Sequence, residues 1–282
     1  MFAPRIIVEE KLKRILAEDV GQGDVTVGAI IPPNHVVKAQ IIAKAEGTAA
    51  GLEEAVILSE SLGLKIAAKA RDGNQVKANQ VLLMLEGDAQ SILAAERTLL
   101  NLISRMSGIA TQTRKLTQML KKANAKAKIA ATRKSPPGLL FFDKKAVVLG
   151  GGDSHRLHLD DMVLIKDNHV AILGSVEAAV KKAKANASVT KKIEAEAENL
   201  QDALVAAKAG ADIVMLDNFS PKKAKEAVDA LREAGFGGVL LEVSGGVSEE
   251  NLLDFAKAQV DFISLGALTH SVKALDVSLE II

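Results

Sequence analysis

From about residue 125 onward the chain repeats one grammar: a short apolar run, a polar or glycine-bearing loop, then a stretch of helical periodicity. The apolar runs fall at residues 128–132, 162–166, 192–196, 213–216, 239–243 and 262–265. Helical stretches fit between most of them, at 175–185, 200–209, 221–234 and 249–258. This alternation predicts parallel strands covered by helices, and right-handed crossovers bend such a sheet towards a barrel. No glycine-rich loop ending in Lys-Ser/Thr is present, and Gly150-Gly151-Gly152 does not follow the spacing of a dinucleotide fingerprint. A phosphate-binding α/β barrel is therefore expected rather than a doubly wound nucleotide fold.

Up to about residue 112 the pattern is mixed. A short helix is expected at 12–18, a turn at Gly21-Gln22-Gly23-Asp24, strands at 36–43, 64–70 and 81–85, and a helix at 52–61. A long amphipathic stretch follows from 89 to about 122. Leu93, Leu99, Leu100, Ile103 and Met106 recur in it at helical spacing, with a break expected near Gly108. The 72–87 segment faintly resembles a lipoyl or biotinyl carrier but has no lysine at a hairpin tip, which sets that reading aside. The expected division is 1–115 for a first domain, to which 272–282 returns, and 116–271 for the barrel.

Composition narrows the function classes. Lys and Arg total 36 against 35 Asp and Glu, so the net charge of +1 advertises neither nucleic acid nor membrane. Positive charge matters only where it is locally concentrated. Cysteine is absent, which excludes disulfides, thiolate catalysis and Cys-ligated metals. With no signal-peptide core in the first residues and no apolar run of transmembrane length, a cytoplasmic location is expected.

The chemistry gathers at the carboxyl ends of the six apolar runs. These ends carry Arg133 and Lys134, then Lys166, Glu196, Asp217, Ser244 with Gly245 and Gly246, and Gly266. In α/β barrels the loops leaving the strands converge there. Any one of these residues is unremarkable as a loop residue; six strands in succession, each ending in a candidate ligand, read as an active-site rim. Arg133, Lys134, His155, Arg156 and Lys166 form a cationic side suited to carboxylates and phosphates. An ion pair of Arg156 with Asp160 or Asp161 is the competing structural reading, and His158 is expected to pack or face solvent. Glu196 and Asp217 form an acidic side suited to a hydrated magnesium ion or to ribose hydroxyls. Glu194 points the same way as Glu196 but lies deeper in its strand. The glycines after the last two strands let backbone N–H groups approach a phosphate.

At these residues the sequence resembles the quinolinate phosphoribosyltransferase family, nearly end to end. The resemblance takes in 17–26, Ala95-Glu96-Arg97-Thr98-Leu99-Leu100-Asn101, the 131–138, 150–156 and 164–169 motifs, Met215-Leu216-Asp217-Asn218-Phe219, 242–246 and 266–271. It implies an N-terminal α+β open sandwich with an incomplete parallel α/β barrel, assembled as a homodimer or hexamer in which Arg97 completes the neighbouring site. It also implies that Arg133, His155, Arg156 and Lys166 face the carboxylates of quinolinate. Lys134 and Lys166 would lie near the phosphoribosyl donor, Glu196 and Asp217 would serve the Mg2+-bound donor, and Ser244, Gly245, Gly246 and Gly266 its 5′-phosphate. Lys134, Lys166, Glu196 and Asp217 are the expected catalytic set.

The sequence departs from the family's usual pattern at Ser135, at Asp153-Ser154 and at Ala195 and Ala197. An inward-facing Asp153 would weaken anion binding. The implied reaction joins quinolinate to 5-phosphoribosyl 1-diphosphate with loss of CO2, giving nicotinate mononucleotide and diphosphate. Two enzyme rivals are a molybdenum-operon relative of the same fold and a Schiff-base lyase or aldolase using Lys166. The intact Leu164-Ile165-Lys166-Asp167-Asn168-His169 stretch favours the quinolinate enzyme over the first. A non-catalytic oligomeric binding protein is a third reading, and it leaves the convergent charges unused.

Overall fold

The structure, a computed structural model, describes residues 3–282 and divides into two compact units. The first comprises the chain up to Arg114 together with Lys145–Gly150 and Val272–Ile282; the second comprises Lys115–Lys144 and Gly151–Ser271.

Elements of the first unit run α1 (Arg5–Val20), α2 (Val25–Ile30), β1 (Val36–Ala43), β2 (Gly47–Thr48), α3 (Leu52–Ser61), β3 (Lys65–Ala68), β4 (Gln75–Val76), β5 (Val81–Asp88) and α4 (Ala89–Lys122). The α2 helix, absent from the sequence expectation, starts where Asp24 accepts the Val27 N–H through its side chain. A four-stranded antiparallel sheet has the order β12-β1-β5-β3, in which β12 (Val277–Ile281) comes from the far end of the chain. Fully buried Ile41, Leu82, Leu83, Leu58, Ile92, Leu99 and Ile103 build the core.

The expected break at Gly108 does not occur: α4 is continuous through it. Gly108 is there for a different reason. A Cβ at this position would lie 2.2 Å from the Lys273 carbonyl oxygen and 2.9 Å from the Ala274 Cα. Beside it the Leu275 N–H donates to the Ser104 carbonyl at 3.0 Å, and the Ser104 hydroxyl donates to the Leu275 carbonyl at 2.6 Å. The glycine marks a backbone-to-backbone approach, not a helix end.

The second unit continues with β6 (Lys128–Ala131), α5 (Leu140–Leu149), β7 (Val163–Ile165), α6 (Asp167–Leu173), α7 (Val176–Asn186), β8 (Ile193–Ala197), α8 (Leu200–Ala209), β9 (Ile213–Asp217), α9 (Pro221–Glu233), β10 (Leu240–Ser244), α10 (Leu252–Ala256), β11 (Phe262–Leu265) and α11 (Ala267–His270). All six strands are parallel, in the order β6-β11-β10-β9-β8-β7. The two end strands do not pair with each other, so the barrel is incomplete. Beyond β6 the ladder gains one bridge, Ala130 to Asp153. Local chemistry starts the helices: Ser175, Asn199 and Ser220 each accept an N–H two or three residues inside their helix, and Pro221 sits at the first turn of α9. The helix expected at 249–258 is shorter, at Leu252–Ala256.

The α5 helix shows why residues 145–150 leave the barrel unit, a departure from the expected boundary. Lys145 is buried and pairs with Glu53 at 2.5 Å and Glu54 at 2.7 Å. Its neighbour Lys144 turns the other way, into the barrel.

Candidate active site

Parallel register carries the strand ends to one edge. Ser244 pairs with Asp217 and Ala197 with Leu216, so the β8, β9 and β10 ends lie side by side. Above this edge is a cavity of about 680 Å³. It is lined by Arg133, Lys134, His155, Arg156, Lys166, Glu196, Asp217, Ser244 and Gly245. Of the expected site residues, Gly246, Gly266 and Arg97 do not line it. Arg97 is exposed on α4. The Gly246 carbonyl accepts from Asn251 Nδ2 at 2.9 Å, and Gly266 lies beneath Lys134 and His270.

The cationic side has spare capacity. Among the described residues, the side chains of Arg133, Lys134 and Arg156 make no hydrogen bond or ion pair, although Arg156 is buried to 9 % exposure. Asp161, a candidate partner for Arg156, instead accepts the backbone N–H groups of Leu157 and His158. Burial and the neighbouring Arg133 lower the pKa of Arg156, and Glu194 and Glu196 oppose them. A guanidinium with no anionic partner in a cavity wall is poised for an external anion. Asp153 does not spoil this: its carboxylate turns into its own loop and accepts the His155 N–H at 2.7 Å.

Lys166 and Glu196, expected on opposite sides of the rim, form an ion pair with each other. The Lys166 backbone N–H donates to His169 Nδ1 at 2.9 Å, which fixes the start of α6 and accounts for the histidine at the end of the 164–169 motif. Asp217 accepts from Asn218 Nδ2 at 2.7 Å. Burial raises its pKa; Lys166, Lys134 and that hydrogen bond work in the other direction. Gly245 is needed between them. With φ of +86°, its Cβ would fall 2.1 Å from Asn218 Oδ1 and 3.0 Å from the Asn218 nitrogen.

The cavity floor holds a cluster that the sequence reading only touched. His155 Nε2 lies 3.1 Å from Glu194 and 3.1 Å from Glu242, both fully buried. One N–H cannot aim at two carboxylates, and neither contact is a formed hydrogen bond; all four carboxylate oxygens lack one. Burial alone would lower the His155 pKa, but the two carboxylates outweigh it and push it up to about 10. A second contact limits that shift. The Arg156 N–H donates to Nδ1 at 2.8 Å, which requires a lone pair there and places the ring proton on Nε2. The carboxylates set the direction of the shift, and the Nδ1 bond must break before the ring takes a second proton. Glu194 is raised by burial and by Glu242, with His155 opposing.

Glu242, which lines the cavity, was missed as a site residue. Glu242 was readable as a carboxylate two residues before a strand end, the position Glu194 holds relative to Glu196. His270 follows Gly266 by one helical turn, and its ring and the Lys134 side chain both lie 3.1–3.2 Å from where a Gly266 Cβ would be.

An incomplete α/β barrel whose strand ends hold unpaired guanidinium and ammonium groups beside carboxylates defines an enzyme of polyanionic small molecules. The comparisons with known proteins narrow that class. The N-terminal domain of quinolinate phosphoribosyl transferase matches residues 24–107 and its C-terminal domain matches residues 109–280. The chain belongs to the quinolinate phosphoribosyltransferase family. It is 46 % identical over 275 residues to a Methanocaldococcus jannaschii protein described as a probable carboxylating nicotinate-nucleotide pyrophosphorylase, covering 96 % of each chain. It is 39 % identical over 279 residues to the carboxylating nicotinate-nucleotide pyrophosphorylase of Mycobacterium leprae, again covering 96 % of each. The solved nicotinate-nucleotide pyrophosphorylase of Francisella tularensis superposes with a TM-score of 0.89 at 39 % identity, over 99 % of this chain and 98 % of that one.

Proposed function

We propose that this protein transfers the phosphoribosyl group of 5-phosphoribosyl 1-diphosphate to quinolinate, with decarboxylation, in NAD biosynthesis. The single observation that carries the reading is the convergence of Arg133, Lys134 and Arg156, all without partners among the described residues, on a cavity that also holds the Lys166–Glu196 pair and Asp217. Quinolinate offers two carboxylates to the guanidinium groups, and the donor offers phosphates to Lys134 and to the Ser244-Gly245 turn. The pyridine nitrogen attacks the anomeric carbon as diphosphate departs, and the resulting pyridinium accepts the electron pair left at carbon 2 when CO2 leaves. Protein groups supply positioning and electrostatic stabilisation rather than a nucleophile. The Lys166 side chain is engaged by Glu196, which argues against the Schiff-base alternative.

Glu196 and Asp217 are the residues that would hold Mg2+. They offer only oxygen donors, and the burial that raises Asp217, incompletely offset by Lys166 and Lys134, is relieved by a cation. When bound, the ion neutralises charge on the departing diphosphate. Two further assignments rest on the family resemblance: a homodimer or hexamer, and exposed Arg97 entering the neighbouring subunit's site. A cytoplasmic location accords with the absence, among the described residues, of any helix long and apolar enough to cross a membrane.

The test is to incubate the protein with quinolinate, phosphoribosyl diphosphate and Mg2+ and to follow nicotinate mononucleotide, with nicotinate in a parallel reaction. Product from quinolinate alone is the expected result. Product from nicotinate alone, or none from either substrate with folded protein, refutes the reading.

A further inference from the structure

Beneath the cationic wall lies a lysine that does not line the cavity. Lys144 on α5 is 0 % exposed, and its ammonium makes three hydrogen bonds, all to backbone carbonyls. It donates to Ala131 at 3.3 Å, to Arg156 at 3.0 Å and to Ser154. Ala131 ends β6, two residues before Arg133; Ser154 and Arg156 flank His155. The segments that carry three of the cavity's cationic side chains are thus tied to one buried charge.

That loop needs tying. His155 has φ of +51°, in the left-handed region that a non-glycine residue enters at a cost and holds only when its surroundings over-determine it. Around it, Asp153 Oδ1 accepts the His155 N–H at 2.7 Å, and the Ser154 hydroxyl donates to the His155 carbonyl at 3.0 Å. A parallel bridge joins the loop to β6: the Ala131 N–H donates to the Asp153 carbonyl at 3.0 Å, and the Asp153 N–H donates to the Ile129 carbonyl at 2.7 Å. Lys144 closes this framework from below. An ammonium with three donors satisfies three carbonyls on the segments whose side chains line the cavity.

Its charge has surroundings to match. Burial together with Arg133 and Arg156 disfavours the ammonium; Asp153 and Glu242 favour it.

We propose that Lys144 is a positioning residue for quinolinate recognition, which clamps the end of β6 to both flanks of His155 and so sets the directions of Arg133, His155 and Arg156 without touching substrate. The proposal rests on the function assigned above. A purely structural lysine would, when lost, lower stability and disturb both substrates alike. A positioning lysine acts chiefly on quinolinate: of the side chains on its segments only Lys134 faces the donor, whose phosphate end also rests on Ser244 and Gly245, which Lys144 does not touch.

The experiment measures steady-state constants for both substrates, with thermal unfolding, in wild type and Lys144→Met. The expected result is a rise of about 10- to 100-fold in KM for quinolinate with the donor KM held within about threefold. The chain lacks cysteine, so Lys144→Cys creates a single thiol. Alkylating it with 2-bromoethylamine in denaturant and refolding rebuilds a lysine-like ammonium, which should return the quinolinate KM to within about threefold of wild type. Should Lys144→Met fail to fold, Lys144→Gln, with two donors and no charge, takes its place. Unchanged quinolinate KM, an equal rise for both substrates, or alkylation that restores thermal stability without restoring quinolinate KM each overturn the proposal. Calorimetric binding of quinolinate separates it from the parent reading. A wild type that binds quinolinate in a Lys144-dependent way yet forms no nucleotide refutes the reaction and supports the clamp.

Discussion

Replacing Gly245 by alanine tests the phosphate end of the cavity at one atom. Two costs add. Holding alanine at a φ of +86° costs about 1–3 kcal/mol. The new methyl also falls 2.1 Å from Asn218 Oδ1 and 3.0 Å from the Asn218 nitrogen. The nitrogen cannot retreat freely, since its N–H donates to the Ser244 carbonyl at 2.8 Å. The Asn218 side chain must therefore swing, giving up its 2.7 Å bond to Asp217, a net loss of about 0.5–1.5 kcal/mol. Gly246→Ala is the matched control: φ is +63°, with nothing within 4 Å of the added carbon, so it bears the backbone cost alone. Urea denaturation and initial rates with each substrate varied are the assays. Gly245→Ala should lower kcat/KM for the donor by about 10- to 100-fold and fall clearly below Gly246→Ala. Equal behaviour of the two variants, or wild-type kinetics in Gly245→Ala, refutes the steric argument.

Three other outcomes are expected. Gly108→Ala gains about 0.8–1.0 kcal/mol of helix propensity but presses on the Lys273 backbone, a clash of about 1–3 kcal/mol or more, so denaturation should show net destabilisation. Lys145→Met strands buried Glu54 and should cost about 3–5 kcal/mol in the same assay. Burial works against the charge on Lys145, but Glu54, Glu53 and Asp72 outweigh it and hold its pKa above 10.5; the stabilisation is complete below pH 10.5 and lost above it, and alkaline titration of the variant should lack that slope. Arg133→Ala, at an exposed position, should raise the quinolinate KM roughly tenfold or more with little change in melting temperature; unchanged affinity removes Arg133 from the pocket.

What was legible in the sequence followed physical simplicity. The barrel strands 262–265 and 128–131 declared themselves through apolar runs ended by glycine or charge, because a buried parallel strand has few other ways to be written. Arg133 and Lys166 stood out because charge at a strand end has few structural uses. Gly108 was misread because a glycine inside a helix looks the same in sequence whether it ends the helix or admits another backbone. The α5 helix went unassigned since its face alternates between two destinations, Lys144 into the barrel and Lys145 towards Glu53 and Glu54. The Lys166–Glu196 pair and the His155 floor depend on which strands neighbour each other, and neither periodicity nor spacing specifies that.

The sheet order β12-β1-β5-β3 carries a consequence for synthesis. On the ribosome, β1, β3 and β5 emerge early, yet the strand that covers the open edge of β1 and the segment that seats against Gly108 are translated only after residues 115–271. Throughout that interval the nascent chain presents Ile41 and its neighbours on an unpaired edge, a template for pairing with other chains. In the barrel, β7 to β11 pair in chain order, and β6 alone waits, for β11. Expression yield of this protein should therefore depend on how quickly the last stretch is delivered, and chaperone demand should concentrate on the part of the molecule that was made first.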